Sequence, residues 1–316
     1  MGKYVTAAEA VQVVKSGDRV YVQAAAATPT LLTTALAETA SELRNVEVCH
    51  LHTEGDAPYA NPELAESFHV NSFFIGANVR HTLKAGNGSY TPVFLSELPL
   101  LFRKNVVKLD VAFIHVSPPD SHGYCSLGVS VEASVAAIEN AKIVIAQVNP
   151  QMPRTFGDGI LHVSEIDYLV EVNLPIYAHA VTPFTAEEEK IGTYVASLIE
   201  DKSTLQMGIG SIPNAALSKL TNHKDLGLHT EMFSDGVIDL IENDVINCNY
   251  KGTLRGRALA TFLMGSKRLY DFVDDNPFIE MKESSMVNDT ARIRKNPRMV
   301  AINSAIEVDV TGQVCA

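Results

Sequence analysis

The sequence predicts an α/β protein of two similar halves, each built on a mostly parallel sheet. Three observations lead there. Short β-branched apolar runs alternate with helical segments along the chain, which is the pattern of a parallel sheet covered on both faces. The start of the first half recurs in outline in the second. The 316 residues are 46% hydrophobic and 20% charged, an ordinary globular composition with enough core for about two domains.

The chain opens with a helix. Thr6 and Glu9 make a capping box ahead of Ala10, Val11, Val13 and Val14, and Ser16-Gly17 stops it. A strand follows at 19–23, and the small residues Ala24 to Ala27 lead into Thr28-Pro29, N-cap and first-turn residue of a helix expected to run through Leu43. Further strands are expected at 46–53, 111–117, 143–148 and 168–172. After Thr182-Pro183-Phe184, the polar run Glu187-Glu188-Glu189-Lys190 begins another helix and Thr204-Leu205-Gln206-Met207 another strand. The domain boundary therefore falls between 1–184 and 185–316.

Residues 17–36 and 201–220 both read as turn, strand, small-residue loop, proline, helix, with Pro29 matching Pro213 and Leu36 matching Leu220. The second half continues with strands at 226–230, 258–263, 299–303 and 306–310, and helices after Ser234-Asp235-Gly236 and over 266–273.

A formal net charge of -12 gives nucleic acid a repulsive mean field, so nucleic-acid binding is not expected. No apolar run approaches the roughly 18 residues of a membrane span, and no signal-peptide stretch follows Met1, so a cytoplasmic protein without membrane contact is expected. Cys49, Cys125, Cys248 and Cys315 are scattered without a C-x-x-C pair. They suit a reducing compartment, argue against structural zinc, and read as small buried hydrophobes.

Several constellations could carry chemistry. Gly208-Ile209-Gly210-Ser211-Ile212-Pro213-Asn214 lies between a strand and a helix, where glycines admit a ligand to the backbone and the helix start favours negative charge. A plain tight turn is the alternative. Pro213 stands where the third glycine of a dinucleotide fingerprint belongs, which excludes a nicotinamide site.

In the strand at 226–230, Gly227, His229 and Glu231 alternate onto one face, and Glu231 falls at the carboxyl end, where α/β sheets bind ligands. There a carboxylate can be base, nucleophile, metal ligand, or simply a helix N-cap. His229-Thr230-Glu231 lacks the P-C-x-x-C of a zinc deaminase. His50 and His52 share a strand face but have no third metal ligand, so they are structural or line a pocket, and no metal is expected. His122 and Cys125 are too close in a turn to act as a nucleophilic pair.

The runs Gly208 to Ala215, Asp225 to Gly236, Ala260 to Gly265 with Leu269 to Val273, and Met299 to Asp309 together resemble the acetyl-CoA hydrolase/transferase family, in its 4-hydroxybutyrate CoA-transferase branch. Gly123 to Gly128 and Asn149 to Pro153 resemble its amino-terminal domain. The resemblance implies two α/β domains of the CoA-transferase type and a catalytic glutamate at Glu231. That glutamate passes through an acyl-glutamyl anhydride and a glutamyl-CoA thioester while CoA moves from a short-chain acyl-CoA to a carboxylate such as acetate, butyrate or 4-hydroxybutyrate.

It further implies CoA contacts at Gly208, Ile209, Gly210, Ser211 and Ile212, a CoA channel along Met264-Gly265, and an oxyanion or pantetheine contact at Asn288, for which an Asx-turn role is the alternative. Coenzyme A enters as a substrate, with no tightly bound cofactor, and a homodimer is implied. Family members carry a further glycine-rich segment after the Gly312-Gln313-Val314 turn, so the second domain is expected to be incomplete here. The rival readings are an acyl-CoA hydrolase on the same scaffold and an acyl-CoA-binding module without turnover.

Overall fold

In the computed structural model, which describes residues 2–180 and 182–315, the first half forms one sheet of eight parallel strands. Their spatial order is Lys3–Tyr4, Tyr168–Glu171, Ile143–Val148, Val111–Val116, Arg19–Val22, Val46–His50, Phe68–Ser72 and Gly88–Tyr90. Every residue of Val111–Val116 is buried, as a strand covered on both faces must be. The chain order reverses between Arg19–Val22 and Val111–Val116, which opens a crevice beyond their carboxyl ends.

The loop at that crevice is held by a buried polar row. Gln23 accepts from the His115 backbone N–H at 2.6 Å, and Gln147 accepts from the Leu31 N–H at 3.1 Å. Burial pushes the His115 imidazole down to about 4, so it stays neutral within this row.

Gln147 also explains a departure from the sequence reading. Pro29 is the N-cap and no side chain from its own loop caps the helix, because the Thr28 hydroxyl donates to the Ala25 carbonyl at 2.8 Å instead. The cap comes from a neighbouring strand. The helix itself is Thr30–Glu38, followed by a short 3-10 turn at Ala40–Glu42, rather than continuous through Leu43. The strands Phe68–Ser72 and Gly88–Tyr90 had no counterpart in the pattern reading.

The second half distributes its strands over small parallel sheets. Thr204–Met207 lies between Gly227–Leu228 and Met299–Ile302, and Met232–Phe233 pairs with Phe262–Leu263. Ala258–Ala260 pairs with Ile279–Met281, whose other neighbour is Phe156–Gly157 of the first half. The halves also share one hydrophobic cluster, which contains Ile114 and Val116 together with Leu205, Leu228 and Leu263.

The strand expected at 258–263 breaks at Thr261, because its N–H turns to the Glu231 carbonyl at 2.9 Å. At 306–310 only Glu307–Val308 is a strand, paired antiparallel with Val314–Cys315, and Cys315 is exposed. The other cysteines are buried, as expected. In the recurring unit Pro213 sits inside the helix Ser211–Ser218, whereas Pro29 precedes its helix, so the match is of outline and not of register.

Candidate functional site

Glu231 is placed by a ladder that binds both sides of its segment. The His229 N–H donates to the Leu205 carbonyl and the Thr230 N–H to the Leu259 carbonyl, each at 3.0 Å. The Thr230 hydroxyl accepts from the Met207 N–H at 2.9 Å and donates to the Met232 carbonyl at 2.8 Å, tying the chain on either side of Glu231. Only Gly227–Leu228 of the expected strand is regular, and residues 226–230 are buried on both faces.

The Glu231 carboxylate is half-buried, and Asn288 donates its side-chain N–H to Oε2 at 2.7 Å. No Lys, Arg or His forms an ion pair with it among the described residues. Burial holds its carboxyl above the usual range, and the bond from Asn288 offsets part of that rise. Nor does Glu231 cap the following helix, since Ser234 is the N-cap of the 3-10 turn there. Asn288 is the C-cap of the helix Ser284–Val287, and its side chain goes to Glu231 instead of closing an Asx-turn; its Oδ1 is buried without a partner.

Met232, the residue after Glu231, lines a cavity of about 580 Å³. Gly208, Ile209, Gly210, Ser211, Met264 and Gly265 line it, as do Met232, Ser234, Asp235 and Arg268. Glu231, Asn288 and Ile212 are not among its described lining residues, so the structure brings the glycine loop and Met264-Gly265 to one cavity, which Glu231 adjoins in sequence through Met232.

The glycines differ in why they are needed. A Cβ on Gly208 would come within 2.7 Å of Asn303 Oδ1 and 2.9 Å of the Ile302 carbonyl, so that residue serves the close pass of a neighbouring strand. Gly210 has φ +117° and nothing nearer than 3.9 Å at its Cβ position, which leaves its face open to the cavity. The helix Ser211–Ser218 begins there without a side-chain cap, and the Ser211 hydroxyl donates to Glu188.

The cavity's charge is mainly negative. Asp235 accepts from the Ser266 N–H at 2.8 Å, and Arg268 is drawn to Asp239 at 2.6 Å and Glu242 at 3.3 Å. Apolar Ile209, Leu217, Met232 and Met264 make up much of the remainder. Sequence reasoning passed over Asp235, Arg268 and His179 as cavity residues. Ser234-Asp235-Gly236 was at hand in the Glu231 run, but nothing in the pattern marked His179.

The remaining candidates resolve simply. His50 is fully buried against the edge of Tyr59, and His52 packs between Phe74 and Phe262 with Nε2 3.5 Å from the Met264 sulfur. Burial lowers both imidazoles to about 4. Cys125 is buried in a strand while His122 is exposed, so they form no pair. No cluster of three or more His, Cys, Asp or Glu suited to a metal exists among the described residues.

Comparison with known proteins agrees with this architecture. The chain is 46% identical over 95% of its length to the succinyl-CoA:acetate/propanoyl-CoA:succinate CoA transferase of Fasciola hepatica, of which it spans 63%. It is 44% identical over 99% of its length to the 4-hydroxybutyrate coenzyme A transferase of Clostridium kluyveri, spanning 73% of that protein.

Among solved structures, the 4-hydroxybutyrate CoA-transferase of Porphyromonas gingivalis superposes with a TM-score of 0.87 at 40% identity, over 99% of this chain and 75% of that one. RipA from Yersinia pestis gives 0.94 at 32% identity over the same shares. The acetyl-CoA hydrolase/transferase N-terminal domain matches residues 1–179 and its C-terminal counterpart residues 265–316. With more than half of its residues under the first of these, the chain belongs to the acetyl-CoA hydrolase/transferase family.

Proposed function

We propose that the chain acts as an acyl-CoA:carboxylate CoA-transferase with Glu231 as its nucleophile. The observation that carries the reading is the state of that carboxylate: half-buried, without an ion pair among the described residues, and held at one oxygen by Asn288. A carboxylate is a weak nucleophile toward a thioester. Partial desolvation and a fixed orientation are what it needs, and donors aimed at the developing oxyanion complete the requirement.

The steps balance without an outside reagent. A Glu231 oxygen attacks the thioester carbonyl, the C–S bond breaks, and CoA thiolate leaves an acyl-glutamyl anhydride. The thiolate attacks the glutamyl carbonyl, releasing the first carboxylate and leaving a glutamyl-CoA thioester. An incoming carboxylate displaces the thiolate to give a new anhydride. The thiolate then takes the new acyl group and restores Glu231.

Gly208, Ile209, Gly210, Ser211, Met264 and Gly265 line the CoA site in this reading, and Ile212 follows Ser211 in the chain behind them. The apolar lining and the negative charge at Asp235 and Asp239 suit the uncharged pantetheine arm rather than the phosphates, which belong nearer solvent. Relatives named for succinyl-CoA, 4-hydroxybutyrate and butyryl-CoA support a short-chain acyl-CoA as the substrate.

A division near residues 184 and 185 fits the irregular stretch before the helix Ala186–Ser197. The buried free thiols Cys49, Cys125 and Cys248 favour a cytoplasmic setting, and a homodimer follows the resemblance alone.

The decisive experiment is incubation with acyl-CoA followed by borohydride and mass spectrometry. Reduction of Glu231 to the alcohol is expected, and an unmodified Glu231 in an active preparation overturns the mechanism. Thioester loss that requires added acetate distinguishes transfer from hydrolysis.

A further inference from the structure

His229 is enclosed, only 1% exposed, two residues before Glu231, and the proposed chemistry gives it no task. Its ring joins two other segments: Nε2 lies 2.8 Å from the Val287 carbonyl oxygen and Nδ1 2.8 Å from the side-chain nitrogen of Asn296. The Asn296 amide has no freedom to turn over, because its oxygen accepts from the N–H groups of Gly252 and Thr253, both at 3.2 Å. Its nitrogen must therefore face the ring. A ring nitrogen that receives an N–H carries no proton of its own, so Nδ1 is the acceptor and Nε2–H donates to Val287.

Val287 ends its helix and Asn288 comes next, donating to Glu231 at 2.7 Å. Two tethers thus run between the same two segments, His229 to Val287 and Glu231 to Asn288. Ser284 separately anchors the start of this helix to the Glu132 and Leu95 carbonyls, and the two tethers hold its far end.

We infer that His229 is a positioning residue whose bond to the Val287 carbonyl sets where Asn288 stands and so how the Glu231 carboxylate is aimed. Nothing in the motif run marks such a role, since the Val287 and Asn296 partners lie 58 and 67 residues away. The inference rests on the reading of Glu231 as the nucleophile.

The test is steady-state transfer by the full chain carrying H229N, H229Q, N288A, H229N with N288A, or E231Q. Glutamine can place its N–H where Nε2–H stands, and asparagine is too short to reach. H229N is expected to lower kcat about 10- to 100-fold with the acyl-CoA KM moved less than about 3-fold, and H229Q to recover most of the loss.

If His229 acts through Asn288, the double variant is no slower than N288A alone. Wild-type kcat in H229N, or losses that multiply in full in the double variant, overturns the inference. Should H229N not fold, the ring nitrogen shifts of unmodified His229 decide: a proton on Nε2 supports the inference, and one on Nδ1 overturns it. An inactive E231Q beside a fully active H229N rejects the positioning role alone. An E231Q with wild-type turnover rejects the nucleophile and this role together.

Discussion

Asn288 donates its side-chain N–H to Glu231 at 2.7 Å, joining residues 57 apart in the chain. The bond satisfies one oxygen of a carboxylate that has no cation partner among the described residues, and it works against the rise that burial imposes on the carboxyl. It orients and it keeps the group ionised.

Replacing Asn288 with alanine removes both effects. A loss of about 10- to 100-fold in kcat/KM is expected, the scale of losing a neighbour that orients a catalytic group. The Glu231 carboxyl rises further, so the acid limb of the pH profile moves to higher pH. Initial rates across the pH range check both; an unmoved acid limb contradicts the role given to the bond.

Glu231 is also a stability liability. Its folded-state pKa lies above the unfolded value, so the ionised form is disfavoured in the fold, and the penalty is present at neutral pH and fades as pH falls through the folded value. E231Q is expected to melt higher than the parent at neutral pH, by about 2–4 °C for each kcal/mol released, with the gap closing in acid. Melting curves at two pH values provide the comparison.

Lys251 gives the opposite pH signature. Its amine is buried, donates to the Leu228 and Arg257 carbonyls at 2.7 and 2.6 Å, and is lowered by burial to about 8. Between that value and the unfolded one the unfolded chain binds more protons. Stability therefore rises with pH there, by up to about 1.4 kcal/mol per unit. In K251M that slope disappears, whatever the loss of the two bonds does to stability at neutral pH. Denaturant melts between pH 7.5 and 10 read the slope.

Gly157 joins the halves. It has φ +123°, and a Cβ there would overlap the Met281 backbone across the pairing of Phe156–Gly157 with Ile279–Met281. G157A is expected to cost more than about 2 kcal/mol, since the fixed backbone must move and the torsion is strained. Chemical denaturation measures it, and a change below 0.5 kcal/mol on the usual surface scale is incompatible with the close pass.

Much of the fold was legible because local rules and tertiary demands agree. Thr6 with Glu9 forms the capping box its spacing announces, the helix Ala186–Ser197 begins at the expected run of glutamates, and Ile143–Val148 and Thr204–Met207 fall where strands were expected. Gly88–Tyr90 was missed because an edge position lets polar and small residues enter a strand, and Phe68–Ser72, next to it, because His69, Asn71 and Ser72 break its apolar run. Thr261 splits one apolar run between two sheets, a choice made by the Glu231 carbonyl and invisible to periodicity.

The sequence by itself determined the α/β class, the glycine turn before Ser211 and the carboxylate at a strand's end, because these follow from backbone preference and alternation within a few residues. Tertiary structure alone decided that Gln147 caps the helix at Leu31, that Asn288 meets Glu231, and that Asn296 fixes one tautomer of His229. Each is a hydrogen bond between distant segments, set by where packed elements come to rest, and no local pattern encodes that meeting.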